Sequence, residues 1–269
     1  MGLIAVPPPY DFDLSLDRFT FWGVDRANVW EDGALYRVVA GREIRITSAP
    51  GGVQVEPLDD VIEPVVRKLL GLEFDLPPFF AFAQGEPVLA EAVRRFPGFR
   101  PPLAPDPFEA LVSSITAQQV SLHAAFAVRS RLIDRYGERA EHATSFPTRE
   151  RIALASEDEL MALGFSRRKA EYVLGVARAG LDFDELALLP DAEVKARLTS
   201  LRGLGEWSAD WFLARYLARP EAWPAGDLGL RKAVLAFYAD VTDVRAAGER
   251  FRPFQNLSAH YLLAALRYQ

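Results

Sequence analysis

The chain has 269 residues, of which 50% are hydrophobic and 25% charged, and its formal net charge at pH 7 is −6. This is the composition of a globular protein with a sizeable core, and no segment reaches the roughly 18 uninterrupted apolar residues of a membrane span. Because cysteine is absent, disulfides, a catalytic thiol, thiolate zinc sites and iron–sulfur clusters are excluded. The first residues do not form a secretory signal, so we expect a cytoplasmic protein.

The acidic charge is concentrated at the start of the chain. Residues 1–75 hold 13 acidic and 7 basic side chains, whereas the remaining residues hold 24 of each. The larger part of the chain is therefore free to carry a local basic face, although a tight sequence-independent DNA binder is not expected. His123, His142 and His260 are far apart in sequence and show no ligand spacing, so we predict no metal site.

The N-terminal quarter has the texture of a sheet. From Phe19 to Val55 the chain is rich in β-branched and aromatic residues, and Asp32-Gly33 and Ala40-Gly41 fall between alternating runs, as hairpin turns do. The pattern predicts an antiparallel sheet followed by a helix around residues 61–70.

After Pro77-Pro78 the pattern becomes helical. Ser156 with Glu159 forms a capping-box pattern, Ser166 can cap the next helix, and Pro190-Asp191 opens another. We therefore predict a mostly α fold with a β-rich N-terminal domain, in the α+β class.

The sharpest local feature is the segment from Leu201 to Ala209. Gly203 and Gly205 allow a tight turn just before a helix, where free N–H groups and the helix dipole favour an anion such as a phosphate. A tight corner between two helices, with glycines needed for geometry alone, explains the same pattern about equally well when it is taken in isolation.

The helix after this turn has two unlike faces. Its core stripe consists of Ala209, Phe212, Leu213 and Tyr216. Trp207 and Trp211 lie on the opposite face, where a surface helix is usually polar. Either a neighbouring domain covers these tryptophans or they line a cleft, and both can hold because ligand sites favour domain interfaces.

Asp227 stands about twenty residues after the glycine hairpin, in a loop that contains Pro224 and Gly226. An aspartate before a short helix is usually an N-cap. Its position after the hairpin makes it a candidate for chemistry as well.

Together these segments resemble the helix-hairpin-helix-Gly/Pro-Asp superfamily of base-excision glycosylases, and within it the bacterial DNA-3-methyladenine glycosylase II family. The matching segments are spread over nearly the whole chain: 8–11, 96–100, 106–109, 118–121, 163–170, 201–209 and 227. Two helical domains that flank a cleft are then expected, and we predict three domains. They are a β-rich domain (1–75), a helical domain with the hairpin (106–225), and a second helical domain (76–105 plus 226–269).

The resemblance implies a monofunctional DNA glycosylase that flips alkylated bases, such as 3-methyladenine and 7-methylguanine, out of duplex DNA and leaves an abasic site. Asp227 is then the catalytic carboxylate. Bifunctional relatives carry a lysine where this chain has Trp207, so strand-cleaving lyase activity is not expected.

The remaining site residues follow from the same resemblance. The base pocket is assigned to Trp207, Trp211, Leu228 and Phe19. Contacts to the DNA backbone are assigned to Arg202, Gly203, Leu204, Gly205 and Ser208, and the wedge that fills the gap to Gln118 or Gln119. We predict damaged double-stranded DNA as the partner, no membrane association, a monomer and no cofactor; whether a monovalent cation binds the hairpin is left open.

Three alternatives remain open at this point. An oxidised-purine glycosylase is disfavoured by the missing hairpin lysine. A non-catalytic helix-hairpin-helix DNA-binding module would not need Asp227, and a small-molecule enzyme with an interdomain pocket would not need the phosphate-binding hairpin.

Overall fold

A computed structural model describes residues 2–268. The N-terminal part forms a five-stranded antiparallel sheet with the strand order β1-β5-β4-β3-β2. The strands are β1 (Gly2–Ala5), β2 (Val29–Glu31), β3 (Ala34–Val39), β4 (Arg42–Ala49) and β5 (Gly52–Glu56). The two predicted hairpin turns join β2 to β3 and β3 to β4. Asp32, Gly33, Ala40 and Gly41 all have positive φ angles, as tight two-residue turns require.

One face of this sheet is covered by three short helices, α1 (Phe12–Leu16), α2 (Arg18–Phe21) and α3 (Ile62–Leu69). Ile44, Ile46 and Val53 from the sheet are fully buried against Leu16 and Val66 from the helices. The helix expected around residues 61–70 is therefore present as α3, and the alternating strands bury every second side chain in one core.

The rest of the chain is helical. The helices are α4 (Leu76–Ala83), α5 (Pro87–Arg95), α6 (Pro107–Ala117), α7 (Leu122–Tyr136), α8 (Arg149–Ala153), α9 (Glu157–Ala162), α10 (Arg167–Arg178), α11 (Phe183–Leu188), α12 (Asp191–Thr199), α13 (Glu206–Arg215), α14 (Leu228–Phe237), α15 (Val244–Ala247) and α16 (Gln255–Arg267). The predicted start signals are correct: Ser156 and Glu159 form a complete capping box on α9, Ser166 caps α10, and α12 begins after Pro190. The fold is α+β and mostly helical, as predicted.

The helices bury their apolar faces in two separate cores. One contains buried side chains from Phe108 to Ala222, and the other contains side chains from residues 74–103 together with residues 225–265. The chain thus leaves the second core after Leu103, builds the first, and returns at Ala225. The exact domain boundaries remain predictions.

A buried ionic network joins the N-terminal part to the helices. Arg129 of α7 contacts Asp25 and bonds Glu109 of α6 at 2.6 Å, and Glu109 also contacts Arg37 of β3. Asn28 accepts a further hydrogen bond from Arg37 at 2.8 Å. The two carboxylates and two guanidiniums are each at most 6% exposed, so the network is charge-neutral and sealed from water.

Within residues 2–268, no helix is long and apolar enough to cross a membrane.

Candidate active site

The predicted hairpin lies between α12 and α13. Gly203 has φ +93°, and a Cβ atom placed there would collide with the ring of Tyr172 on α10. Leu204 is 3% exposed and anchors the turn in the core of the hairpin-carrying helices. Gly203 is therefore required by the fold itself, because both its backbone angle and its neighbour exclude a side chain.

Gly205 is different. It is the N-cap residue of α13 with extended backbone, and no atom outside its chain neighbours lies within 4 Å of the position a Cβ would take. No side chain caps the first turn of α13 within the described residues. The free N–H groups and the positive end of the helix dipole thus face open space. Nothing inside the protein requires glycine here, so the missing side chain leaves room for something that approaches from outside.

Gln118 and Ser208 hold the hairpin from behind. The Gln118 side-chain amide donates to the carbonyl of Gly203 at 2.9 Å and to the hydroxyl of Ser208 at 3.2 Å. Ser208 is only 1% exposed. The Ser208 side chain is thus internal, which leaves only its backbone N–H for an outside ligand, and the Gln118 amide is already engaged.

Gln119 is the exposed member of the predicted wedge pair. Its φ angle is +56°, in the left-handed region that residues other than glycine rarely adopt, and it follows directly after α6. The strained loop holds this side chain outward, beside the exposed Val120.

A groove of about 540 Å³ runs between the hairpin, the N-terminus of α10 and the Gln118-Gln119 loop. Its lining includes three cationic residues: Arg168, Lys169 and Arg202. Arg202 is exposed and pairs with Glu171, and the Lys169 ammonium donates to the carbonyl of Thr116 at 2.9 Å. The groove combines open backbone donors with positive charge, which suits an extended polyanion.

The core stripe predicted for α13 is buried at three of its positions. Ala209, Phe212 and Leu213 are at most 1% exposed. Trp207 and Trp211 are partly exposed, and Trp211 also packs against the core of the hairpin-carrying helices. A Cβ atom at Gly226 would lie 3.5 Å from the Trp207 side chain. The loop that leads to Asp227 therefore passes directly over this tryptophan.

Asp227 is the N-cap of α14. Its Oδ1 atom accepts a hydrogen bond from the backbone N–H of Leu230 at 2.9 Å. Its Oδ2 atom accepts no hydrogen bond from any residue between 2 and 268. One oxygen therefore fixes the carboxylate, and the other is available to a ligand.

Two further residues assigned to the base pocket differ in exposure. Leu228 is 66% exposed at the start of α14, directly after Asp227, and Phe19 is buried in the core of the N-terminal sheet. The packing of the N-terminal helices turns Phe19 inward, and Arg18 instead lies over its ring, 5.7 Å from the centroid. We retain Trp207 and Trp211 as pocket candidates.

The structure adds charged residues near Asp227 that the sequence patterns did not indicate. Arg215 donates a hydrogen bond to Nδ1 of His260 at 2.7 Å. Burial, assisted by the charges of Arg18 and Arg267, lowers the pKa of Arg215 to about 9, while the charge of Asp227 acts in the opposite direction. Burial and the charges of Arg215, Arg18 and Arg267 hold the pKa of His260 well below its usual value, so the ring is neutral and accepts the hydrogen bond.

Helical spacing could have indicated Arg215 on α13, and His260 and Arg267 on α16. Arg215 follows Trp207 and Trp211 at four-residue steps along one side of α13. On α16, His260, Leu263 and Arg267 share a side in the same way. Leu263 reaches Gly229: a Cβ atom there would meet both Leu263 and Asp227 at 3.1 Å.

The structure also brings together a cluster that the sequence did not suggest. Ligand-type atoms of Glu43, Glu141 and His142 lie within 4.8 Å of one another. The His142 ring bonds Glu43 at 3.0 Å and stacks on Tyr36, with 3.9 Å between ring centroids. These contacts attach the loop after α7 to the sheet.

Comparison with known proteins places this hairpin and Asp227 in a family. Residues 112–251, just over half of the chain, match the HhH-GPD superfamily of base excision DNA repair proteins. The chain belongs to this superfamily, as the glycine hairpin followed by Asp227 predicted.

Two curated relatives are similar in sequence. The DNA-3-methyladenine glycosylase of Bacillus subtilis (strain 168) is 31% identical over 173 residues, a match that covers 61% of this chain and 57% of that protein. DNA-3-methyladenine glycosylase 2 of Escherichia coli (strain K12) is 28% identical over 267 residues, covering 93% of this chain and 92% of that protein. The match with the Bacillus protein thus spans little more than half of its length.

A solved structure is similar over the whole chain. The 3-methyladenine DNA-glycosylase from Archaeoglobus fulgidus superimposes with a TM-score of 0.89 at 27% identity, covering 100% of this chain and 99% of that one. The sheet and both helical cores are therefore shared with that protein.

Proposed function

We propose that this protein is a monofunctional DNA glycosylase that hydrolyses the bond between deoxyribose and an alkylated base in duplex DNA. The observation that carries the proposal is the geometry of Asp227. This carboxylate is fixed by the N-terminus of α14 through one oxygen and keeps the other free, in a loop that passes over the partly exposed Trp207 of α13.

The chemistry requires such a carboxylate. As the bond to the base breaks, the base leaves with the bonding electron pair and the sugar becomes oxocarbenium-like, with positive charge at C1′ and the ring oxygen. A fixed negative oxygen stabilises that charge or accepts a proton from the attacking water. Water then supplies the hydroxyl at C1′, and the product is an intact strand with an abasic site.

The tryptophans account for binding of the base. A base must leave the stack before its glycosidic bond can be reached, and an indole face replaces part of the lost stacking. Alkylated purines such as 3-methyladenine and 7-methylguanine are electron-poor, which favours stacking on indole. The names of the relatives above support the same substrate class.

The hairpin accounts for binding of the backbone. The open N–H groups at Gly205, with the groove beside them, suit a phosphate of double-stranded DNA and read no base. Gln119, held outward by its left-handed backbone, is our candidate for the side chain that fills the space of the flipped base. We further propose that the protein acts as a monomer in the cytoplasm.

Release of free bases from randomly methylated duplex DNA tests the proposal. We expect wild-type protein to release methylated purines, which mass analysis identifies, and to leave unbroken strands. Binding without base release would instead support a non-catalytic helix-hairpin-helix module, and release confined to 8-oxoguanine DNA would support the oxidised-purine alternative.

A further inference from the structure

The loop with the wedge candidate Gln119 leads directly into α7, and the first turn of that helix projects from the protein. Ser121 caps α7, and residues 121–124 are all exposed. Further along, the same helix is anchored in a core by Leu132 and Tyr136. The contacts that hold the first turn of α7 therefore also set the direction in which the wedge points.

The segment of residues 22–25, which follows α2, runs along α7 and contacts it at two separate points. The Trp22 ring meets the His123 ring edge to face, with 5.5 Å between the centroids. The Val24 carbonyl accepts a hydrogen bond from the Ser130 hydroxyl at 2.6 Å. Because His123 and Ser130 are about two helical turns apart, they share one side of α7. The N-terminal part of the protein thus supports the projecting half of this helix along one side.

Trp22 also contacts the last turn of α16. The Arg267 guanidinium lies 5.9 Å from the centroid of the Trp22 ring and 5.4 Å from that of Phe21. Asp17 pairs with Arg267 at 2.7 Å and fixes the guanidinium. Since α7 and α16 pack into different helical cores, Trp22 bridges the two groups of helices.

We propose that Trp22 is a positioning residue for the wedge: through His123 it holds the first turn of α7, so that Gln119 can enter the space of the flipped base. The inference rests on the proposed function and gives the N-terminal part of the protein a role in it. Without the aromatic contact, the first turn of α7 spends less time in the productive direction, and the rate falls by that fraction. The wedge acts only when the base leaves the stack, so the first encounter with intact duplex is unaffected.

A double-mutant cycle under single-turnover conditions tests the inference, with release of 3-methyladenine from methylated duplex as the readout. Trp22→Ala and His123→Ala each remove one half of the contact, and each should lower the rate by about 2- to 10-fold, the value of one aromatic pair. The double variant should lose no more than either single variant. Phe21→Ala is the matched control, because it removes the neighbouring ring beside Arg267 and leaves the pair intact. This control should keep the wild-type rate.

Three further measurements separate positioning from a general loss of structure. Trp22→Phe, which keeps an aromatic ring, should recover most of the rate. In a Gln119→Ala background, Trp22→Ala should have no further effect, because the side chain that it positions is gone. The affinity of each variant for undamaged duplex should equal that of the wild type. His123→Ala changes an exposed residue and carries the test if Trp22→Ala does not fold.

Additive losses in the double variant would show that Trp22 and His123 act independently and would overturn the inference. An unchanged rate in both single variants, an equal loss in Phe21→Ala, or a loss in Trp22→Ala that persists without Gln119 would also overturn it. Weaker binding of undamaged duplex by Trp22→Ala would make Trp22 a direct DNA contact instead. If the wild type releases no methylated base, the proposed function itself fails.

Discussion

At the scale of single residues, the helix cap and the proposed catalytic role of Asp227 use different atoms. Its Oδ1 atom caps α14 through the N–H of Leu230, and its Oδ2 atom is free of protein partners among the described residues. Capping was the plain explanation of this aspartate from sequence, and the structure confirms the cap. The cap does not compete with chemistry, because it fixes the carboxylate and leaves one oxygen for substrate.

Asp227→Asn separates the two roles. Asparagine caps helices about as well as aspartate, so the free energy of unfolding should change by less than about 0.5 kcal/mol. Loss of the fixed negative charge should lower the single-turnover rate of base release by about 10²- to 10³-fold. Denaturant titration measures the free energy of unfolding, and quenched single-turnover assays measure the rate of base release. A near-wild-type rate in this variant would return Asp227 to capping alone.

The monofunctional assignment rests on Trp207. An indole nitrogen is not a usable nucleophile, so no imine with the sugar can form at this position. Two other amines are close in sequence, but Lys195 is paired with the buried Asp210 at 2.5 Å and Lys232 lies exposed on α14.

We therefore expect borohydride treatment during turnover to trap no covalent protein–DNA complex, with strand breaks only after alkali. A known lyase run in parallel shows that trapping works. A trapped band that disappears on replacement of a single lysine would contradict the monofunctional assignment.

At the scale of elements, the hairpin was predicted from its glycines, yet the sequence could not distinguish the two. Gly203 is fixed by its positive φ and by the ring of Tyr172, which belongs to a helix thirty residues earlier. Gly205 faces open space. Only the three-dimensional packing shows that the first glycine serves the fold and that the second is not needed by it.

This difference gives a paired test. Gly205→Val should fold normally, because its new side chain meets no protein atom within 4 Å at Cβ. It should weaken binding to all duplexes, damaged or not, by about 10- to 100-fold through loss of charged hydrogen bonds to a phosphate. Gly203→Val should instead lower stability. Binding titrations and thermal melts distinguish them, and a Gly205→Val defect limited to damaged DNA would show that the hairpin does not hold a phosphate.

The side-chain directions of the assigned site residues were not specified by the sequence. Phe19, Leu228 and Ser208 were assigned by their place in the chain, and Phe19 and Ser208 have side chains buried by distant packing. Phe19 turns into the sheet core, Leu228 faces solvent, and the Ser208 hydroxyl meets Gln118. The local patterns located the elements correctly; which face of an element meets the site depends on contacts that the sequence does not display.

At the scale of the whole molecule, the N-terminal sheet is held to the helices by charges as well as by packing. The network of Asp25, Arg37, Glu109 and Arg129 crosses this boundary and is at most 6% exposed. Its partners are up to 104 residues apart, so no local pattern predicts it.

Glu109 is the centre of this network, since it contacts both arginines. Burial opposes its ionisation, but the charges of Arg37 and Arg129 outweigh burial and hold its pKa below the usual value. A carboxylate with a lowered folded-state pKa stabilises the protein above its unfolded-state pKa. That contribution is lost as the pH falls below about 4.5 and through the lower folded-state pKa.

Glu109→Gln should therefore destabilise the protein by about 3–5 kcal/mol at pH 7, because it leaves two buried guanidiniums with one carboxylate between them. The matched control is Glu157→Gln, which breaks an exposed pair with Arg167 and should cost no more than about 1 kcal/mol. Denaturant unfolding at pH 7 and at pH 4 measures both variants. The difference in the free energy of unfolding between wild type and Glu109→Gln should narrow at the lower pH, because the unfolded wild-type chain takes up a proton at Glu109 that the folded state, with its lowered pKa, does not. Equal losses in the two variants at pH 7 would show that the network adds no more than a surface pair, and that apolar packing alone joins the sheet to the helices.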